Sequence, residues 1–470
     1  MECYPRVRSR PGSGRDPRFM SRSEQSQGAR GPLRRAGIAA LTTLLTVLLA
    51  PTEARAEPSA GSRLTLPAPT GPHSVGTVSM HLVDRSRSDP WVPTRPYREL
   101  MISVWYPARD ADRYPIAPYL QRGAADGLAT AVGTWGDGPP VIPKGSVDFA
   151  AVRTHGRTGA PVELRGGRRP VVLFSPGHLA PRAFNTTLVE DLASHGSVVV
   201  TIDHTYESDV DFPPSATHPG GRVEKRQVKL PATAEEVVEF DRTTIAARVA
   251  DTRTVLDQLH VLAGGRNPDA EQRRLPAGLA DALDLTRVGM FGHSGGGATT
   301  AEAMYYEPRI KAGVVVDSYL SYGMDLPGAP PAAVLPPVAT EGLDRPVLLF
   351  SSSAFNLTHR GDPADPSIAS FWAHQRAWKR DLQLQEAKHI SFADYESLLP
   401  QIVASGVAKL PPGTTPEEYV QGEIGTLPPG EAVGTSRAYL RAFFDLHLRH
   451  RPTRLFDRPS PRYPAADLIP

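Results

Sequence analysis

The sequence predicts an α/β fold: one domain on a mostly parallel central sheet with helices on both faces, with loop or lid segments inserted between them. Three observations predict it. Short β-branched apolar runs alternate with longer segments of helical period. Several of those runs are continuous, as central strands covered on both faces require: Val171-Val172-Leu173-Phe174, Val198-Val199-Val200 and Val347-Leu348-Leu349-Phe350. One run passes through a Gly-x-Ser-x-Gly pentapeptide directly into small, helix-compatible residues. With 40% hydrophobic and 22% charged residues the chain can bury a sizeable core, and disordered, collagen-like and polytopic membrane classes are excluded.

The first 56 residues stand apart. Arg34 and Arg35 precede an apolar run from Ala36 to Ala50, and Ala54-Arg55-Ala56 then offers a small-x-small cleavage site, the layout of a signal peptide removed after Ala56. The apolar run is shorter than the ~18 to 20 residues that span a bilayer. The paired arginines leave the general and twin-arginine export routes both open, and Met20 is an alternative start. Ten arginines against four acids leave with the leader, which takes the formal charge from +2 to −4. Cys3, the single cysteine, leaves too, so the exported chain forms no disulfide or thiolate metal site and has no cysteine nucleophile. Neither charge state suggests a nucleic-acid partner.

Residues 57–450 then carry the domain. Strands are expected at 76–83, 100–106, 169–175, 197–203, 286–291, 311–317 and 345–351. Ile245, Val249, Thr252, Leu256 and Leu259 form a helical stripe, and so do Tyr439, Phe443 and Leu446 after a capping Thr435 or Ser436. A further helix is expected over 367–383. Proline-rich stretches at 90–96, 327–337 and 411–430 read as loops or lid segments, and the proline-rich tail 451–470 as loosely attached coil.

The chemistry centres on Gly292-His293-Ser294-Gly295-Gly296, the one such pentapeptide in the chain. In a nucleophile elbow the serine sits on a tight strand-to-helix turn, and the residues two before and two after it must be small for the backbones to pass. A serine hydroxyl needs a histidine base oriented by a carboxylate, and the α/β-hydrolase chain order is serine, acid, histidine. Among His359, His374, His389 and His447, His389 fits best, in a loop leading into a helix at Phe392-Ala393-Asp394-Tyr395. Asp317 closes the apolar run Ala312–Val316 at the carboxyl edge of the sheet, where ligands bind; Asp362 and Asp365 after the next strand are its rivals. Two backbone N–H groups for an oxyanion come from Gly295 and from the loop Ser175-Pro176-Gly177-His178, through the His178 amide, whose side chain is expected to matter less. No histidine and carboxylate spacing suggests a metal site, and no glycine loop a nucleotide cofactor. A secreted binding protein on the same scaffold is the non-enzymatic alternative.

These residues, with Val104-Trp105-Tyr106-Pro107, Leu173-Phe174-Ser175, Asp191-Leu192-Ala193-Ser194-His195-Gly196 and Val316-Asp317, resemble the plasma (lipoprotein-associated) type of platelet-activating factor acetylhydrolases. The resemblance implies a calcium-independent hydrolase cleaving short or oxidised sn-2 acyl chains from phospholipids, with Ser294, Asp317 and His389 as its triad, and so favours Asp317 over Asp362. Two departures stand out: Gly295 replaces the family's bulky residue after the nucleophile, and Pro176 stands where mammalian members have histidine. Polyester hydrolases and cutinase-like or general short-chain esterases share the fold and a similar elbow, and are the alternative substrate classes. At a formal charge of −4 the exported chain is expected to meet a lipid surface through apolar loops.

Overall fold

The computed structural model describes residues 63–131, 141–323, 334–362 and 365–470. The leader and most of the proline-rich stretch 327–337 lie outside the described residues. Among the described residues the first eight strands are β1 (Ser74–Asp84), β2 (Arg98–Ala108), β3 (Ile116–Pro118), β4 (Arg153–Thr158), β5 (Arg169–Ser175), β6 (Val198–Asp203), β7 (Val210–Phe212) and β8 (Arg222–Glu224). Five more follow: β9 (Leu283–His293), β10 (Ile310–Val316), β11 (Val347–Ser352), β12 (Lys379–Leu384) and β13 (Ala466–Leu468). Eleven of them form one sheet in the order β13-β12-β11-β10-β9-β5-β6-β2-β1-β4-β3, and β7 and β8 pair separately. The six strands from β6 to β12 in that order are mutually parallel, with antiparallel neighbours β2 and β13 on either side.

The apolar runs are continuous because both faces are buried. Val171 and Leu173 of β5 join the core beneath the helices Ala234–Ala263 and Gly295–Tyr306, whereas Val172 and Phe174 pack with Leu188, Leu192, Tyr439 and Phe443 on the other face. Each such buried side chain contributes roughly 1.5–3 kcal/mol. All seven strands expected from the sequence are present within a few residues of their expected ends, and the stripe from Ile245 to Leu259 lies on the helix Ala234–Ala263.

Four expectations are corrected. The helix expected over 367–383 stops at His374, and Lys379–Leu384 is the strand β12. Only Leu382 and Leu384 there are apolar, too short a signal to compete with the helical pattern before it. Thr435 and Ser436 do not cap; both are buried inside the helix Glu431–Arg449, whose N-cap is Gly430. Within 411–430 lies the helix Pro416–Ile424, started by a capping box in which Thr415 and Glu418 exchange bonds. The tail is docked: Ala466–Leu468 pairs with β12, and Phe456 is buried between Trp378 and Tyr439.

Candidate active site

Ser294 follows the last residue of β9 and precedes the helix Gly295–Tyr306, with φ 57° and ψ −130°. Its N–H donates to the carbonyl of Val316 on the neighbouring strand (2.9 Å), which ties the turn to the sheet edge. A Cβ at Gly292 would run into the Gly296 carbonyl, and one at Gly296 into that of Ser175. The two outer glycines of the pentapeptide are therefore demanded by backbone crossing alone.

Asp317 leaves the end of β10 with φ 46°, its N–H donating to Phe350 O at 2.8 Å. That turn places the carboxylate, only 1% exposed, at the end of β11, where Oδ1 accepts from Ser352 N (2.6 Å) and Oδ2 from Ser352 Oγ (3.1 Å). Oδ2 also lies 2.8 Å from His389 Nδ1. An ionised carboxylate only accepts, so Nδ1 carries the proton and His389 Nε2 is left with its lone pair.

His389 opens a short 3-10 turn, His389–Phe392, after β12. Its ring is stacked on Phe355 (centroids 4.6 Å apart, 24° between planes) and faces His293 at 4.5 Å. His293 Nε2–H donates to the carbonyl of His389 at 2.8 Å. Burial, and then the positive charge that His389 carries once protonated, push the pKa of His293 down to about 3, so it stays a neutral donor. The loop beyond is stapled to the helix Thr186–Ser194: Asn185 Nδ2 donates to Phe392 O (2.6 Å), and the amides of Thr186 and Thr187 donate to Asp394 (2.7 and 2.9 Å).

Of the two expected amide donors, one belongs to the residue that follows the serine and the other to the loop that ends at His178. Gly295 is the first residue of its helix, where N–H groups have no partner within the helix. The loop before His178 lies against the nucleophile: a Cβ on Gly177 would stand 3.4 Å from Ser294 Cβ. The His178 ring has more to do than the sequence suggested. It covers Gly295 so closely that a Cβ there would strike it, with Nδ1 3.9 Å from Glu207 and Nε2 3.7 Å from Asp241.

The rivals are engaged elsewhere. Asp365 accepts from Ser321 Oγ and Ser367 N, and the backbone of Asp362 forms an isolated antiparallel bridge with that of Asp365. His359 Nδ1 is 2.6 Å from Asp381, His374 donates to Ser370 O, and His447 packs on Trp378 and Phe443. Among the described residues, one cluster not foreseen as a metal set does form: potential ligand atoms of His293, Asp317 and His389 gather within 4.8 Å. His293 Nε2, Asp317 Oδ2 and His389 Nδ1 already hold partners described above, an arrangement suited to proton handling. Sequence reasoning also missed His293 as a tether and Arg248, Asp251 and His204 beneath the oxyanion loop. The signal for Arg248 and Asp251 was a pair of charged residues on the apolar stripe of a helix, beside Val249 and Thr252; His204 and His293 carried none.

The profile of the family described as platelet-activating factor acetylhydrolase, isoform II, matches residues 59–410. The chain belongs to this family. It is 26% identical over 435 residues to a protein of Arthroderma benhamiae named probable 1-alkyl-2-acetylglycerophosphocholine esterase, covering 90% of this chain and 97% of that one. It is 23% identical over 231 residues to the dog platelet-activating factor acetylhydrolase, a match spanning half of that protein's length and 47% of this chain. Among solved structures, a ferulic acid esterase from Streptomyces cinnamoneus superposes with a TM-score of 0.63 at 33% identity, covering 87% of this chain and all of that one. The α/β-hydrolase fold and membership of this acetylhydrolase family together make the chain a carboxylic ester hydrolase acting on a small-molecule ester.

Proposed function

We propose that the chain is an exported serine esterase that works through an acyl-enzyme, with short-acyl, platelet-activating-factor-like phospholipids as its substrates. The observation that carries the mechanism is the His389 Nδ1 to Asp317 Oδ2 bond of 2.8 Å at the sheet edge that also bears Ser294. His389 Nε2 takes the Ser294 proton as the oxygen attacks the ester carbonyl; Asp317 holds the tautomer and stabilises the imidazolium. The His178 and Gly295 amides receive the oxyanion. The imidazolium then protonates the leaving alcohol, and water, activated by the same nitrogen, releases the acid. Export rests on the leader up to Ala56, and the family match beginning at residue 59 agrees with a mature chain starting nearby. Contact with a lipid surface would come through apolar loops.

The 33% identity to the ferulic acid esterase, over its whole length, favours a second reading in which the acyl group is a bulky aromatic acid. A fluorophosphonate probe should label the wild type and leave Ser294→Ala unlabelled; labelling that persists in the variant would overturn the mechanism. On one preparation, short-chain phosphatidylcholine should be cleaved faster than methyl ferulate and a polyester film. The reverse order assigns the substrate to the ester that is cut.

A further inference from the structure

We propose that Arg248 is a positioning residue for the oxyanion hole, holding the peptide whose N–H, that of His178, receives the developing charge. The inference rests on the acyl-transfer reading above and gives that site a support not evident in its motif.

Arg248 lies on the helix Ala234–Ala263 with no exposed surface, where an unpaired guanidinium would be prohibitively costly. Glu207 pairs with it, accepting from Nε (2.9 and 3.1 Å) and from Nη2. The remaining donors go to two successive carbonyls of the oxyanion loop, Nη1 to Pro176 O at 2.6 Å and Nη2 to Gly177 O at 3.0 Å. A trans peptide is planar, with its C=O and N–H opposed. Drawing Gly177 O towards the helix therefore turns His178 N–H the other way. Ser294 lies against this loop, its Cβ and Oγ 3.4 and 3.8 Å from where a Gly177 Cβ would stand. The cation at one end of the peptide sets the aim of the donor at the other.

The base of the loop has its own anchor. Ser175 Oγ is 2.9 Å from His204 Nε2, and His204 Nδ1 is 2.9 Å from Asp251 Oδ2. This row has the residue types of a catalytic triad, yet all three are buried and Asp251 also binds Arg98 (2.8 Å), so it serves as a strut. Burial, then the nearby Arg248, lower the pKa of His204, so it stays neutral and takes the Ser175 proton as an acceptor while donating to Asp251. A preorganised oxyanion donor acts because it does not have to move when charge develops. Two rigid contacts from one helix supply that rigidity.

Arg248→Lys keeps a charge opposite Glu207 but loses the planar fork that reaches both carbonyls. On a soluble p-nitrophenyl ester we expect kcat to fall roughly 10- to 100-fold with KM within threefold. The Ki of a trifluoromethyl ketone, which adds Ser294 Oγ to form a tetrahedral oxyanion, should rise by a similar factor, while the Kd of an unreactive ether analogue stays put. Ser175→Ala, which removes one hydroxyl, should show the same pattern more weakly and remains informative if the lysine variant does not fold. Unchanged kcat in both variants, or a fall in kcat without weaker ketone binding, overturns the proposal. A wild type that the fluorophosphonate fails to label overturns the reading of Ser294 beneath it; a labelled wild type with insensitive variants overturns only the role of Arg248.

Discussion

His389 is fixed from several sides, by the Phe355 ring, the His293 ring and the Asp317 carboxylate, and its own carbonyl restrains His293 in turn. The left-handed conformations of Ser294 and Asp317 cost on the order of 1–3 kcal/mol each. Both are repaid by neighbouring strands, through Ser294 N to Val316 O and Asp317 N to Phe350 O. On the proposed mechanism Asp317→Asn should fold, since the side chains match in shape, while its amide would favour the wrong imidazole tautomer. We expect kcat to fall about 10³- to 10⁴-fold, against less than twofold for Asp362→Asn. Comparable losses in the two variants would return the acid to the later position. Asp317 was legible because a lone charge closes an apolar run. His293 was not, because nothing in a pentapeptide says that its second residue will meet a carbonyl 96 positions away.

At the scale of elements, what was legible depended on how far each segment's own pattern decides its fate. β5, β6 and β11 announce themselves by continuous apolar runs, and the elbow by glycines that no other residue could replace where backbones cross. β12 was hidden because Lys379-Arg380-Asp381 reads as surface, whereas Asp381 is buried and pairs with His359. The tail was hidden because three paired residues and one phenylalanine make too weak a signal without the strand they cover. The docked tail makes a prediction at this scale. Deleting residues 453–470 removes Phe456 and the β13 ladder and uncovers Leu382 and Leu384. Phe456 alone is worth roughly 2–3 kcal/mol, so the melting temperature should drop by about 5 °C with earlier aggregation, as calorimetry and light scattering would record. A truncated chain that melts with the full one would show the tail to be ornamental.

For the molecule as a whole, buried groups that change charge on unfolding set the response to pH. His293 and His447 are lowered to about 3 and about 4, each chiefly by burial, the first also by His389 and the second by His450. Between pH 6.5 and those values the unfolded chain binds more protons than the folded one, so each histidine makes stability fall as pH falls. Asp394 and Glu302 act in the opposite sense. Burial raises both to about 7, so the folded chain holds their protons longer, and the stability they add at low pH is lost as pH rises through 7. Glu99, lowered to about 2 against the opposing effect of burial by bonds to His81 and Arg222, loses its contribution as pH falls from 4.5 towards 2. The opposing groups predict a broad plateau near pH 4.5–6.5, where their slopes cancel, a fall below 4.5, and between 6.5 and 7 a slight fall that ends once both carboxyls are ionised. One residue isolates the histidine arm: His447 packs on Trp378 and Phe443, so His447→Leu keeps the apolar contact and removes the proton site. Relative to wild type, the variant should gain roughly 1–2 kcal/mol between pH 7 and 4.5, the full linkage being reduced for a group still partly in contact with water. Denaturant titrations at the two pH values measure that difference directly, and equal gaps at both would remove His447 from the acid response.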